Sequence, residues 1–239
     1  MKLELLPATF LKRYKRFLCD VKVGKEIWTV HCPNSGSMKT LLEEGSPCFI
    51  HDSQNPKRKL RYTLTLMGVG DKDWALIDTQ RPNAMAEEAI QSDLIPELSG
   101  YTKLRREVKY GKENSRIDLL LEEEGRPLCY VEVKNNTMLS STTPGRSDFP
   151  DAVTERGRKH LRELMEMKAE GNRAVLLLMV NRTDANRAGI ASEIDPAYAD
   201  TLKEAMEAGV EVLCYRSKLS PELLEVSHRI AFDLPWGRF

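Results

Sequence analysis

The sequence predicts an α+β / α/β protein of two parts: a small five-stranded β-barrel over residues 1–81, then a mixed α/β domain over 82–239. Two observations carry this. Five short β-type runs, at 12–23, 26–32, 46–52, 61–69 and 73–79, are broken by turn chemistry at Gly24, Pro33-Asn34-Ser35-Gly36, Asn55-Pro56 and Gly70-Asp71. After Arg81-Pro82 the pattern changes to helices alternating with strands. At 239 residues, 41% hydrophobic and 30% charged, the chain is long enough to bury both cores.

A brief helical piece is expected near Met38–Glu44. Five strands in so short a span point to an OB-like barrel, a fold that presents one face to oligomeric ligands. In the second part Asn83 is placed to cap a helix over 84–94, stopped by Pro96 and Gly100. Strand-like runs follow at 103–110, 116–122 and 127–134, then a loop rich in Ser, Thr, Pro and Gly over 135–149. A helix over 152–170 carries Val153, Leu161, Leu164 and Met165 at helical spacing and ends at Gly171; Asp148 or Asp151 is a candidate cap. The apolar run Ala174–Val180 reads as a strand buried on both faces. A helix at 196–208 and a strand at 210–215 complete the pattern. The order α-β-β-β-α-β, then α-β, is that of a restriction-endonuclease-like core.

Composition removes several alternatives. No run approaches 18 apolar residues and the N-terminus has no signal-peptide h-region, so a cytoplasmic protein with no membrane partner is expected. The five cysteines (Cys19, Cys32, Cys48, Cys129, Cys214) form no CxxC pair and are expected to be reduced and packed. His31, His51, His160 and His228 show no zinc-ligand spacing. The formal net charge is zero, but residues 1–80 hold 13 Lys+Arg against 9 Asp+Glu, and the rest 23 against 27. The excess falls in Lys12, Arg13, Lys15 and Arg16 and in Lys57, Arg58, Lys59 and Arg61, a pattern suited to phosphate or to a solvated face.

The chemistry-bearing constellation is Asp118, in Ser115-Arg116-Ile117-Asp118-Leu119-Leu120, with Glu132 and Lys134 in Tyr130-Val131-Glu132-Val133-Lys134. Strand periodicity puts Glu132 and Lys134 on one face, and 13 intervening residues allow one hairpin to bring Asp118 beside Glu132. Charges interrupting apolar β runs are costly to bury unless they are used. Two carboxylates suit Mg²⁺ or Mn²⁺, and an adjacent lysine can orient water or offset charge on a phosphoryl group. This is the pattern of a PD-(D/E)XK nuclease site. Glu107, and Glu87 or Glu88, are candidates for a further ligand; Arg116 and Arg156 are candidate phosphate contacts, beside a reading of both as solvated surface. The Pro33–Met38 turn lacks the G-x-S-x-G context of a nucleophile elbow, and reads as a phosphate-binding or structural turn.

Over essentially its full length the chain resembles the sugar fermentation stimulation protein A family. The resemblance is carried by Arg13-Tyr14-Lys15-Arg16-Phe17, His31-Cys32-Pro33-Asn34-Ser35-Gly36-Ser37-Met38, Ser115-Arg116-Ile117-Asp118, Tyr130-Val131-Glu132-Val133-Lys134 and Phe149-Pro150-Asp151-Ala152-Val153-Thr154-Glu155-Arg156-Gly157. The family usually has Thr and Ala where Ser35 and Ser37 stand. The resemblance implies an OB-like domain, a nuclease-like domain with Asp118, Glu132 and Lys134 at its metal site, sequence-independent DNA binding and a regulatory role in sugar utilisation. Three functions are therefore expected to compete: a Mg²⁺-dependent nuclease, a non-catalytic DNA-binding regulator, and an OB-type binder of RNA or oligosaccharide. A homodimer is a further expectation.

Overall fold

The computed structural model describes residues 1–237. Strands β1 (Leu5–Tyr14), β2 (Leu18–Val23), β3 (Glu26–His31), β4 (Pro47–Asp52), β5 (Tyr62–Val69) and β6 (Asp73–Leu76) form one sheet in the order β3-β2-β1-β4-β5-β6. β3 also pairs with β5, through His31 and Thr63, and this closes β1–β5 into a barrel. Phe10, Val21, Val30, Ile50, Leu64 and Met67 fill it.

The five barrel strands are therefore divided differently from the sequence expectation. The run at 12–23 is the end of β1 plus all of β2, split by a turn in which Lys15 and Arg16 have φ of 46° and 64°. Basic residues rarely adopt left-handed backbone, so neither residue type announces the turn. The run at 73–79 is β6, an extension outside the closed barrel. Met38–Glu44 forms turns rather than the expected helix.

The second part starts with α1 (Arg81–Gln91), capped at Gln80 with Pro82 in its first turn, and not at Asn83 as expected. A 3-10 turn at Pro96–Leu98 leads to β7 (Lys103–Tyr110), β8 (Ser115–Glu122) and β9 (Cys129–Asn136), an antiparallel meander. The segment expected as loop contains β10 (Met138–Leu139) and β11 (Arg146–Phe149). Then come α2 (Glu155–Ala169), β12 (Arg173–Val180), β13 (Arg187–Ile190), α3 (Pro196–Glu207), β14 (Glu211–Leu219), β15 (Leu224–Arg229) and β16 (Ala231–Asp233). The main sheet runs β15-β14-β12-β9-β8-β7, with β12 parallel to β9 and β14; a smaller sheet runs β10-β11-β13-β16. β12 is central and apolar on both faces, as its composition requires.

α2 begins three residues later than expected. Its cap is Thr154, whose hydroxyl accepts from the Gly157 N–H at 3.0 Å. Val153 lies outside the helix and is 69% exposed, so it is no part of the apolar face. Asp148 is buried and held by Arg146 in β11, which removes it as a cap.

α1 covers one face of the main sheet together with Leu66 of β5 and Leu76 of β6, so the two cores are continuous on that side; α2 and α3 cover the other face. The barrel is also fastened by backbone: Leu76 N–H donates to Asn181 O at 2.9 Å, and Thr183 N–H to Trp74 O at 2.9 Å. Arg182, 2% exposed, donates to Thr137 O (2.8 Å) and Thr40 Oγ1 (3.1 Å) and forms a two-pronged pair with Asp184. Arg182→Ala leaves Thr137 O and the Asp184 carboxylate without this donor, and we expect a loss of about 3 kcal/mol in chemical denaturation. A change below about 0.5 kcal/mol would show that the arginine is not needed at the seam.

Candidate metal and phosphate site

A cleft of about 510 Å³ opens between barrel and α/β domain. Its floor is made where β8 and β9 part. Their pairing ends at Leu119 opposite Val131, after which β9 continues alongside β12. Asp118 fills the gap: Oδ2 accepts the Val133 N–H at 2.7 Å and Oδ1 accepts Asn83 Nδ2 at 2.8 Å. Glu132, 2% exposed, accepts Lys134 Nζ at 2.6 Å and His160 Nδ1 on the same oxygen, Oε1. Its other oxygen, Oε2, is buried and has no partner among the described residues.

Burial pushes the Asp118 carboxyl up to about 6, helped by the negative charge of Glu132 and opposed by the Val133 N–H, Lys134 and Asn83. Burial acts on Glu132 in the same sense, but Lys134 and the His160 hydrogen bond outweigh it and hold this carboxyl below its ordinary value. Two adjacent carboxylates with opposite shifts in a cleft mark a candidate functional site.

The opposite wall comes from the barrel. Arg13 turns inward and donates to the carbonyls of Asn34 (2.7 Å) and Gly36 (2.9 Å), while Arg16 Nε holds Ser35 O at 3.1 Å. Together they brace the Pro33–Met38 turn against the α/β domain. A side chain at Gly36 would meet Asp151 Oδ2 at 2.0 Å, so only glycine allows this approach.

Of the expected site residues, the structure brings together Asp118, Glu132 and Lys134, with Arg16 and Arg156 on the cleft wall. It leaves out Glu107, which is exposed on β7 with φ 53°, in a ladder whose register is unbroken from Arg106 opposite Leu119 to Val108 opposite Ile117. Glu87 pairs with Arg106 and Glu88 with the N-terminal amine, both away from the cleft. Arg116 is exposed and donates to Glu107 O. Lys12 stands beside Asp20 and Lys15 is exposed on its turn. Lys57, Arg58 and Arg61 belong to the β4–β5 connection; Arg58 leans on His31 and Arg61 is spent on Asp52 at 2.5–3.0 Å. They form a separate surface from the cleft.

Two cleft residues were not singled out from sequence. Asn83 was read as a cap, and nothing local shows that its amide reaches another strand. His160 did carry a signal, because 160 lies on the buried stripe of α2 with Gly157, Leu161 and Leu164.

Among the described residues no three His, Cys, Asp or Glu side chains converge as a preformed metal cage. The donors present fit a hard divalent cation that keeps part of its water shell: two carboxylates, one with a buried, unpartnered oxygen.

An OB-type barrel seated on a restriction-endonuclease-like α/β domain, with an Asp and a Glu-x-Lys at the seam, defines the class. A family model described as the SfsA N-terminal OB domain matches residues 11–77, and one described as the sugar fermentation stimulation protein RE domain matches residues 80–223. The sugar fermentation stimulation protein homologue of Shewanella denitrificans is 51% identical over 222 residues, 92% of this chain and 93% of that one. The homologue from Shewanella loihica is 53% identical over 213 residues, 88% and 89% of the two chains. The structure of Pyrococcus furiosus SfsA in complex with Ca²⁺ superposes with a TM-score of 0.87 at 28% identity, covering 98% of each chain. The chain belongs to the sugar fermentation stimulation protein family.

The elevated Asp118 carboxyl gives a pH test in EDTA. With a native value near 6 and an ordinary one of 3.8, the folded state holds this proton after the unfolded state has released it. Stability from this group is therefore present below about pH 4 and is lost as pH rises to 6, by at most about 3 kcal/mol. Asp118→Asn should flatten that decline and raise the midpoint of thermal unfolding at pH 7. A variant less stable than wild type at pH 7 in EDTA would contradict the assignment.

Proposed function

We propose that this protein binds DNA without sequence preference and hydrolyses phosphodiester bonds in the cleft, using Mg²⁺ or Mn²⁺. The observation that carries the reading is the half-satisfied Glu132 carboxylate, buried beside Asp118 with one oxygen unpartnered. The Ca²⁺ complex of the Pyrococcus relative supports a hard divalent cation here. In this reading residues 1–81 form the nucleic-acid-binding barrel and 82–239 the nuclease-like domain.

The residues divide the work as follows. Asp118 and Glu132 hold the cation; Asn83 and the Val133 N–H orient Asp118. When bound, the cation supplies positive charge against the phosphoryl oxygens and makes water a better nucleophile near neutral pH. Lys134 pairs with Glu132, and its ammonium would be available for water or phosphate if the carboxylate were holding a cation. Arg16 from the barrel and Arg156 from α2 face the same cleft and hold flanking phosphates. A second reading, a DNA-binding regulator of sugar metabolism that does not cut, draws on the 2.6 Å Lys134–Glu132 pair, which keeps the lysine occupied.

The deciding experiment incubates purified protein with labelled single-stranded, duplex and branched DNA in Mg²⁺, Mn²⁺ or EDTA. Cleavage in metal and none in EDTA is expected; no cleavage of any substrate gives the regulator reading the field. Lys134→Met should keep Mn²⁺ binding while cleavage falls on the order of 10²–10³-fold. Equal cutting by the variant would remove Lys134 from the mechanism.

The phosphate contacts are tested by salt. Replacing Arg16 and Arg156 by Gln should weaken binding to unrelated DNA sequences alike, and reduce the slope of log affinity against log salt by about two. An unchanged slope would place the backbone contacts elsewhere.

A further inference from the structure

The hydrogen bonds of His160 define its tautomer. A charged carboxylate only accepts, and Glu132 Oε1 lies against Nδ1; Lys134 Nζ, 3.3 Å from the same Nδ1, donates to Glu132 instead at 2.6 Å, while Arg156 Nε donates to Nε2 at 3.3 Å. Nδ1 then carries the proton and donates to Glu132 Oε1. The ring, 6% exposed, thus ties the buried carboxylate on the cleft floor to an exposed arginine one helical turn away at its rim.

We infer that His160 is a positioning residue with two separable tasks, holding Glu132 through Nδ1 for a divalent cation and aiming Arg156 through Nε2 at a nucleic-acid phosphate. The inference rests on the proposed reading of the cleft. With Oε1 taken by His160 and Lys134, the only oxygen of Glu132 left for a cation is Oε2. Without the imidazole the carboxylate is free to rotate and give both oxygens to Lys134. At the other end, an arginine restrained at Nε keeps both terminal nitrogens for a phosphate and loses less freedom on meeting it.

Two isosteres separate the tasks. His160→Asn puts an amide nitrogen near the Nδ1 position and nothing at Nε2; His160→Gln reaches the Nε2 position and leaves Nδ1 vacant. Mn²⁺ affinity is read by calorimetry on the intact protein, and DNA affinity by anisotropy of a labelled oligonucleotide in EDTA. His160→Asn should keep Mn²⁺ affinity within about threefold, while His160→Gln loses about tenfold to hundredfold. DNA affinity should follow the opposite order, with His160→Asn weaker by roughly fivefold and His160→Gln near wild type. Arg156→Gln should cost less DNA affinity on the His160→Asn background than in wild type, and this holds as a check if His160→Gln folds poorly. Variants that lose both affinities in parallel, or neither, overturn the inference and leave His160 a packing residue. Mn²⁺ binding by wild type that Asp118→Asn leaves unchanged would defeat the metal site itself, and the inference with it. Binding that Asp118→Asn abolishes, with equal behaviour of the two His160 variants, defeats the inference alone.

Discussion

A carboxylate with almost no exposure to water cannot stay charged without cations or hydrogen-bond donors around it, and Glu132 organises its neighbourhood on that account. Lys134 arrives two residues along the same strand, on the same face because strands repeat every two residues. His160 arrives from α2, whose register on the sheet is set by Leu161, Leu164 and Met167 in the core. These groups satisfy one oxygen and leave the other. The buried, unpartnered oxygen and an Asp118 carboxyl pushed up to about 6 set the electrostatics of the cleft floor.

Asp118 shows how a defect in a sheet becomes a site. Were β8 and β9 paired throughout, the Val133 N–H and the Asp118 side chain would have no reason to meet. Because the ladder stops after Leu119 and Val131, the carboxylate takes over the work of a backbone carbonyl, and its second oxygen is held by Asn83 from α1. The carboxylate is thereby fixed by two elements as well as its own strand, the kind of support that keeps a ligand group in place. The barrel adds the second wall. Arg182 and the backbone bonds at Trp74 and Leu76 fasten it to the sheet, and Arg13 fixes the Pro33–Met38 turn facing Asp151.

Much of this was legible in the residues. The alternation of Tyr130-Val131-Glu132-Val133-Lys134 placed the acid and the base together, and the apolar run ending at Val180 was the central strand. The misreadings have local causes. Lys15 and Arg16 turn the chain in a conformation their side chains disfavour, so the β1–β2 turn is invisible to turn chemistry. Thr154 wins the cap of α2 because Asp148 is already engaged by Arg146 and Asp151 faces the barrel, neither of which is a local property. Glu107 has the right residue type on the right strand, but it takes a positive φ and stays at the surface.

By itself the sequence determined the three helices, the strands β7, β8, β9, β12 and β14 of the main sheet, the two kinds of domain and the Asp, Glu and Lys of the candidate site. It could do so because periodicity and charge within an apolar strand are local properties. Only the tertiary structure decided which distant groups complete that site: Asn83 and His160 in, Glu107 out, and Arg16 delivered from the barrel. Those choices depend on where a sheet ladder ends, how a helix seats on a core and how two domains are fastened. Each is a balance of packing between segments far apart in the chain, and no single window of residues contains it.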